Sequence, residues 1–154
     1  MIQEIEMFRK VVILAGLFAV TSPLPALAFK DGNFIRHCRA PNGLTGSMER
    51  VFEENVGDVL SGFHAYTSMN GQNGRWLIQY NVPKMIQLPR ILRKFLFYHE
   101  CAHARFNTSS EALADCEGAR AMKRDIGLSS TRIARIAEHY EQYNREFPPL
   151  GCGL

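Results

Sequence analysis

The chain has 154 residues, of which 46% are hydrophobic and 21% charged, and its formal net charge is +3. This length fits a single domain and excludes a multidomain enzyme or a repeat array, while the composition excludes a wholly disordered chain. The small positive charge comes from scattered basic residues, so we expect no nucleic-acid partner.

Residues 1–28 have the layout of a secretory signal peptide. Arg9 and Lys10 precede an apolar run over 11–20, and the stretch Ala-Leu-Ala over 26–28 places small residues at the two cleavage positions. We therefore expect export to the periplasm or the extracellular space and cleavage of this segment. An uncleaved membrane anchor is the alternative.

Cleavage at this position leaves one domain over 29–154, about 126 residues long, which begins near Phe29. The mature chain would keep no membrane anchor. A domain of this size gains from covalent cross-links, and an oxidising compartment permits disulfides.

The first half of the domain is predicted to contain one helix and one hairpin. Residues 29–46 carry several turn signals and are predicted to be mostly loop. Ser47 is predicted to cap a helix over 48–56, whose apolar residues recur at helical spacing. Two strands are predicted over 62–68 and 75–82, because Asn-Gly turn signals separate them and the second strand alternates to give one apolar face.

The second half is predicted to be helical. Apolar residues recur at intervals of three and four over 89–105 and 110–126, and a last helix runs from Ser129 to about Arg145. This order of elements predicts an α+β fold that is mainly helical, with a small β-sheet packed on the helices.

The stretch 99–103 reads His-Glu-Cys-Ala-His, an H-E-x-x-H pattern within a predicted helix. Because His99 and His103 are four residues apart, they share one helix face and can converge on a zinc ion. Glu100 lies about 100° around the helix from His99, so it can flank a metal and act on a water there. The alternative is that both histidines are satisfied core residues and Glu100 lies on the surface.

The next predicted helix begins with Glu111 and Asp115, also four residues apart. H-E-x-x-H followed by E-x-x-x-D resembles the signature of gluzincin metallopeptidases, and the chain is similar to small exported bacterial metallopeptidases. The resemblance implies a minimal zincin-like fold, with His99, His103 and Glu111 as ligands of a Zn²⁺ cofactor. It also implies that Glu100 is the general base and that Asp115 orients a ligand histidine.

The third ligand stays open between two acids. Only seven residues separate His103 from Glu111, which is fewer than gluzincins usually have, so Asp115 is the alternative. Thr108 and Glu111 also fit a capping box, in which Glu111 would bind the backbone amide of Thr108. His139, in the last helix, is a less favoured candidate ligand.

These features predict a zinc-dependent hydrolase, a metallopeptidase in which Glu100 activates a water at the metal. The resemblance further implies a second electrophile from a later element, for which Tyr140, Tyr143 and His139 are candidates, and an edge strand that pairs with the peptide or protein substrate, for which 75–80 is the candidate. The alternative is a non-catalytic zinc-binding or interaction protein of the cell envelope or secretome. An amidase that acts on peptide cross-links of the envelope would use the same site.

The four cysteines are expected to form disulfides rather than bind the metal. Cys101 is two residues from each motif histidine and therefore points about 200° away from either. Cys101 and Cys116 are expected to join the two metal-bearing helices, and Cys38 and Cys152 the two ends of the domain. Four cysteines allow three pairings, so the other two stay open.

Overall fold

The computed structural model describes residues 29–58, 60, 62–142, 146–149 and 151–154. The predicted signal peptide and its alternative, the membrane anchor, lie outside the described residues, as does Tyr143. Within them the chain forms short strands followed by helices, which confirms the predicted small α+β fold.

The described strands are β1 Phe29–Asp31, β2 Phe34–Arg36, β3 Arg39–Pro41, β4 Met48–Arg50, β5 Phe52–Val56, β6 Ala65–Met69 and β7 Trp76–Asn81. The described helices are α1 Val82–Met85, α2 Arg90–Phe106, α3 Glu111–Ile126 and α4 Ser130–Glu141.

The prediction for residues 29–56 is wrong. The supposed loop contains three strands, and the supposed helix over 48–56 is β4 followed by β5. β1 pairs with β2 and β3 with β4, both antiparallel, while β5 pairs in parallel with the distant β7. Long-range backbone pairing thus overrides a helical spacing that only a few apolar residues support.

The predicted hairpin is confirmed as β6 and β7, which pair antiparallel. β7 is the middle strand of a three-stranded sheet in the order β5-β7-β6. Its Ile78 and Tyr80 are buried, as the predicted apolar face requires. β7 pairs with β5 on one side and with β6 on the other, so the expectation that 75–80 forms a substrate-binding edge strand is wrong. The edge strand next to β7 is β6.

The three predicted helices are confirmed as α2, α3 and α4, with ends within one or two residues of prediction, except that α4 ends at Glu141 instead of about Arg145. The left-handed Asn107 ends α2. Ser110 and Ser129 cap the next two helices by accepting backbone N–H bonds. None of the described helices combines the length and apolar character that a bilayer crossing requires.

Helix α2 lies at the centre of the core and packs against α3, α4, β3 and β6. Its Phe95 is fully buried, as are Met122 of α3 and Ile136 of α4. Gly118 allows α3 to approach α2 closely, because a Cβ atom there would lie 2.9 Å from the backbone nitrogen of His99. This close approach brings the acidic start of α3 beside the histidines of α2.

Two disulfides are present, Cys38–Cys101 and Cys116–Cys152, so the expected pairing Cys101–Cys116 and Cys38–Cys152 is wrong. Cys101 does lie away from the side of α2 that carries His99 and His103. It bonds to Cys38, which directly precedes β3, because α2 packs on β3 as well as on α3. Cys116 faces the C-terminal segment. Each disulfide therefore ties a helix to a chain segment that lies outside the α2–α3 pair.

Candidate metal centre

The two motif histidines converge on one face of α2. The Nε2 atoms of His99 and His103 are 3.0 Å apart, as expected for residues one turn apart whose rings are held toward each other. His99 is buried and His103 is partly buried. The backbone in this region is regular helix, so the convergence follows from the four-residue spacing.

The other ring nitrogen of each histidine faces a fixed acceptor. Nδ1 of His99 is 2.7 Å from Oδ1 of Asp115, and Nδ1 of His103 is 2.7 Å from the carbonyl oxygen of Thr108. Hydrogen-bond geometry therefore assigns the protons of the neutral rings to Nδ1 and leaves an Nε2 lone pair on each ring. Two lone pairs 3.0 Å apart repel, so a proton or a cation between them would stabilise this arrangement.

The pKa of His99 is also shifted in favour of a positive charge at this position. Burial lowers the pKa of His99, but hydrogen bonds to Asp115 and Glu111 outweigh burial and raise the pKa to about 9. The surroundings of the ring thus favour a positive charge, which either a proton or a metal ion can supply.

Glu111 is the acid that approaches the two Nε2 atoms. Its Oε2 lies 3.3 Å from Nε2 of His99, and its Oε1 lies 3.5 Å from Nε2 of His103. The capping-box alternative is wrong because Ser110 caps α3 and the amide of Thr108 donates to the carbonyl of His103. The carboxylate of Glu111 is therefore available to the histidines.

Among the described residues, the group able to hold a metal ion consists of His99, His103 and Glu111, whose ligand atoms lie within 4.8 Å of one another. A tetrahedral zinc ion with bonds of about 2.0–2.1 Å places its ligand atoms about 3.3 Å apart. The two Nε2 atoms are 3.0 Å apart, and each lies 3.3 or 3.5 Å from a different oxygen of the Glu111 carboxylate, so all three separations are close to that spacing. Two imidazoles and one carboxylate are also a donor set that zinc accepts, so the residues fit this ion.

Asp115, the other candidate acid, contacts Nδ1 of His99 instead of the two Nε2 atoms. It is 1% exposed, and its Oδ1 accepts the hydroxyl of Tyr140 at 2.7 Å in addition to its contact with His99. This position matches a residue that fixes the orientation of a ligand histidine. The hydroxyl proton of Tyr140 points at Asp115, which leaves it poorly placed as a second electrophile.

Glu100 is buried beside the cluster, and its Oε2 accepts the hydroxyl of Thr67 at 2.7 Å. Burial raises the pKa of Glu100, while the charges of the motif histidines and the hydrogen bond from Thr67 lower it. Thr67 belongs to β6, and its contact with α2 spans 33 residues of sequence. No pattern in the sequence marks this threonine, since its partner is defined by tertiary packing alone.

The cluster lies in the wall of a cavity of about 1030 Å³. Glu100, both motif histidines and Glu111 line it together with Thr67 and Trp76 of the sheet. This volume lies at the upper limit of the range of about 300–1,000 Å³ that is typical of ligand pockets. A metal held by the three side chains would therefore face an open space large enough for a substrate segment.

His139 also lines this cavity but stands apart from the three ligand candidates. Its ring packs edge-on against that of His64, with centroids 5.9 Å apart. Burial is the main reason that the pKa values of His64 and His139 are lowered. Both rings therefore reach the cavity as neutral hydrogen-bonding groups near pH 7.

Comparison with protein-family models, curated proteins and solved structures finds no match for this chain.

Proposed function

We propose that this protein is a zinc-dependent hydrolase that cleaves peptide bonds, with His99, His103 and Glu111 as metal ligands and Glu100 as general base. The observation that carries the proposal is the convergence of two Nε2 atoms and one carboxylate at 3.0–3.5 Å in the wall of an open cavity. A structural zinc site has four protein ligands and no open position, whereas a catalytic site keeps one free.

The protein groups have separate tasks in this chemistry. A bound zinc ion supplies a Lewis acid and lowers the pKa of a water in the cavity. The carboxylate of Glu100 accepts a proton from the attacking water and passes it to the leaving amine. The hydroxyl of Thr67 holds that carboxylate in place, and Asp115 holds the ring of His99.

The open edge of β6 supports a peptide as the substrate. On the β7 side of β6, the amide of Asn81 donates to the carbonyl of His64, and the amide of Asn70 donates to the carbonyl of Arg75. Antiparallel pairing alternates, so the backbone groups of Thr67 and its neighbours two positions away face the other edge. An extended peptide that adds to this edge would run along the cavity wall beside Glu100.

Export is part of the proposal. Disulfides form and persist in oxidising compartments, and both disulfides of this chain are compatible with one. The signal-peptide pattern over 1–28 points to the same compartments.

The deciding experiment compares the mature wild-type chain with Glu100→Gln and the control Glu54→Gln, an exposed carboxylate on β5. We expect about one equivalent of zinc in all three proteins, as a single site requires. Hydrolysis of a mixed peptide library, followed by mass spectrometry, should occur with wild type and Glu54→Gln and be absent with Glu100→Gln.

The outcomes separate the candidate functions. Wild-type protein without zinc, even after incubation with zinc, would rule out the metal centre. Full activity of Glu100→Gln would remove Glu100 as the base. Zinc without hydrolysis of any linear or cross-linked peptide would favour the non-catalytic binding protein, and cleavage of cross-linked peptides alone would favour the amidase.

A further inference from the structure

Glu53 is a buried carboxylate that the proposed hydrolysis does not use. It lies on β5 and is 4% exposed. Its Oε2 accepts the backbone N–H of Phe29 at 2.8 Å and the hydroxyl of Tyr80 at 3.3 Å, while its Oε1 accepts the backbone N–H of Cys38 at 3.2 Å. All three of these donors are electrically neutral.

Neutral donors compensate a buried carboxylate only in part. Burial raises the pKa of Glu53, and the hydrogen bonds from Cys38, Phe29 and Tyr80, with a smaller contribution from the charge of Arg50, oppose that rise without cancelling it. A positively charged donor in place of one neutral donor would stabilise the ionised form further. The position of Phe29 allows such a replacement.

Phe29 is the first residue after the small-residue cleavage pattern over 26–28. Hydrolysis of the bond between Ala28 and Phe29 by an export peptidase consumes one water. It leaves a carboxylate on Ala28 and a protonated amine on Phe29. The backbone nitrogen that donates to Glu53 thereby changes from a neutral amide to an ammonium group with three donors, which stays protonated below about pH 8.

The buried side chain of Phe29 and the pairing of β1 with β2 fix the position of the Phe29 backbone nitrogen. The Phe29 ring is buried, with its centroid 5.2 Å from that of Tyr80 and 5.3 Å from that of Phe97. β1 also pairs with β2, where Phe29 lies opposite Arg36. Removal of the preceding residues leaves all these contacts intact, so the new ammonium would be formed where the amide is now.

We propose that Glu53 is the binding site for the α-ammonium group of the mature chain, whose first residue is Phe29. The ion pair links β1 to β5 and, through the Cys38 amide on the same carboxylate, to the disulfide that reaches α2. It forms only when the cut falls directly before Phe29. Correct processing therefore stabilises the domain, independently of whether the metal centre is catalytic.

The first test compares chains that begin at Phe29, at Ala28, or at an Nα-acetylated Phe29, each released from a removable tag. The acetylated chain keeps the N–H donor and loses only the charge. We expect the chain with a free Phe29 amine to melt about 5 °C higher than the other two near pH 7. Equal melting temperatures would overturn the proposal.

A second test identifies the partner of the ammonium group. It uses Glu53→Gln and the control Glu54→Gln, each made in the chain that begins at Phe29 and in the chain that begins at Ala28. Glu53→Gln should abolish the difference in melting temperature, and Glu54→Gln should leave it, because Glu54 is exposed on the same strand. A difference that persists in Glu53→Gln would overturn the assignment.

Two measurements need no Glu53 variant and decide the matter if Glu53→Gln does not fold. An amine-selective reagent should label the free amine of Phe29 at least about tenfold more slowly than the amine of an Ala28-extended chain, because burial in an ion pair protects it. Mass spectrometry of the exported protein should find Phe29 as the first residue. Equal labelling rates, or another first residue, would overturn the proposal.

Discussion

The α2–α3 pair and the strands contribute to the candidate metal centre and its surroundings in different ways, and β6 and β7 are the strands that line the cavity. All three candidate metal ligands come from the helices, between residues 99 and 111. The strands contribute through contacts that span long stretches of chain, such as Thr67 to Glu100 over 33 residues and Cys38 to Cys101 over 63. The geometry of the candidate ligands therefore comes from a short stretch of chain, whereas the placement of Glu100, the candidate base, and the cohesion of the domain depend on long-range tertiary contacts.

This difference separates what substitutions should do. Changes in the strands and their cross-links should lower stability or turnover and leave metal affinity nearly intact. Changes on the facing sides of α2 and α3 should lower metal affinity itself.

The largest effect on stability is expected from the double substitution Cys38→Ala and Cys101→Ala. Loss of a cross-link between residues 63 apart should lower the free energy of unfolding by about 4 kcal/mol, because the unfolded chain gains freedom. Denaturant unfolding at low temperature measures this loss, and zinc titration of the folded variant should show affinity within a few-fold of wild type. A loss of zinc affinity as large as that of Glu111→Ala would contradict the local origin of the ligand geometry.

Glu111→Ala should have the largest effect on zinc affinity. Removal of a ligand should exceed the roughly 10- to 100-fold loss expected for Asp115→Asn, which affects only the residue that holds His99. Zinc titration against a competing chelator measures both. Glu117→Ala, on the same helix, is the control and should bind zinc like wild type; a larger loss in Asp115→Asn than in Glu111→Ala would exchange their roles.

Gly118→Ala tests the close packing that joins the two helices. The added Cβ would meet the backbone of α2 at 2.9–3.1 Å, which is too close for either helix to remain in place. We expect a destabilisation of about 1–3 kcal/mol, by chemical denaturation, together with weaker zinc binding. Gly57→Ala is the matched control, since its Cβ would meet no atom within 4 Å; equal stability of the two variants would show that the helices can separate without cost.

Thr67→Val should have the smallest effect. It tests whether the hydrogen bond to Glu100, the candidate base, affects turnover without affecting zinc binding. Valine keeps the shape of the side chain but removes the hydroxyl that holds Glu100, so kcat should fall roughly tenfold, as expected for one hydrogen bond to a charged group. Zinc content should stay at the wild-type level. Thr67→Ser restores the hydroxyl and should recover most of the rate; loss of zinc in Thr67→Val would contradict the separation.

The helices and the H-E-x-x-H spacing could be predicted because their signals are local. Apolar residues at intervals of three and four, with serine caps and polar turns, place α2 and α3 within a residue or two of their true ends. The convergence of His99 and His103 follows from the pitch of a helix. Glu111 was one of two open choices for the third ligand; Glu111 lies near the two Nε2 atoms, whereas Asp115 contacts Nδ1 of His99.

The strands over 29–56 could not be predicted from local patterns. Phe52 and Val56 fit a helix by spacing, but β5 is defined by its pairing with β7, which lies more than twenty residues further along the chain. The disulfide pairing failed for the same reason. Helix geometry correctly directs Cys101 away from His99 and His103, but it does not reveal which distant segment lies on the opposite side of the helix.

The sequence by itself determined which side chains share a helix face, because a regular helix converts spacing directly into direction. It thereby placed His99 and His103 on one face of α2, and it left the acid open between Glu111 and Asp115. Only the tertiary structure decided that Thr67 holds Glu100, that Tyr140 holds Asp115, that Cys38 reaches Cys101 and that Glu53 accepts the nitrogen of Phe29. Each of these contacts joins residues at least 24 positions apart. Such residues meet because helices and strands pack against one another, and no local periodicity in the sequence shows which of them will do so.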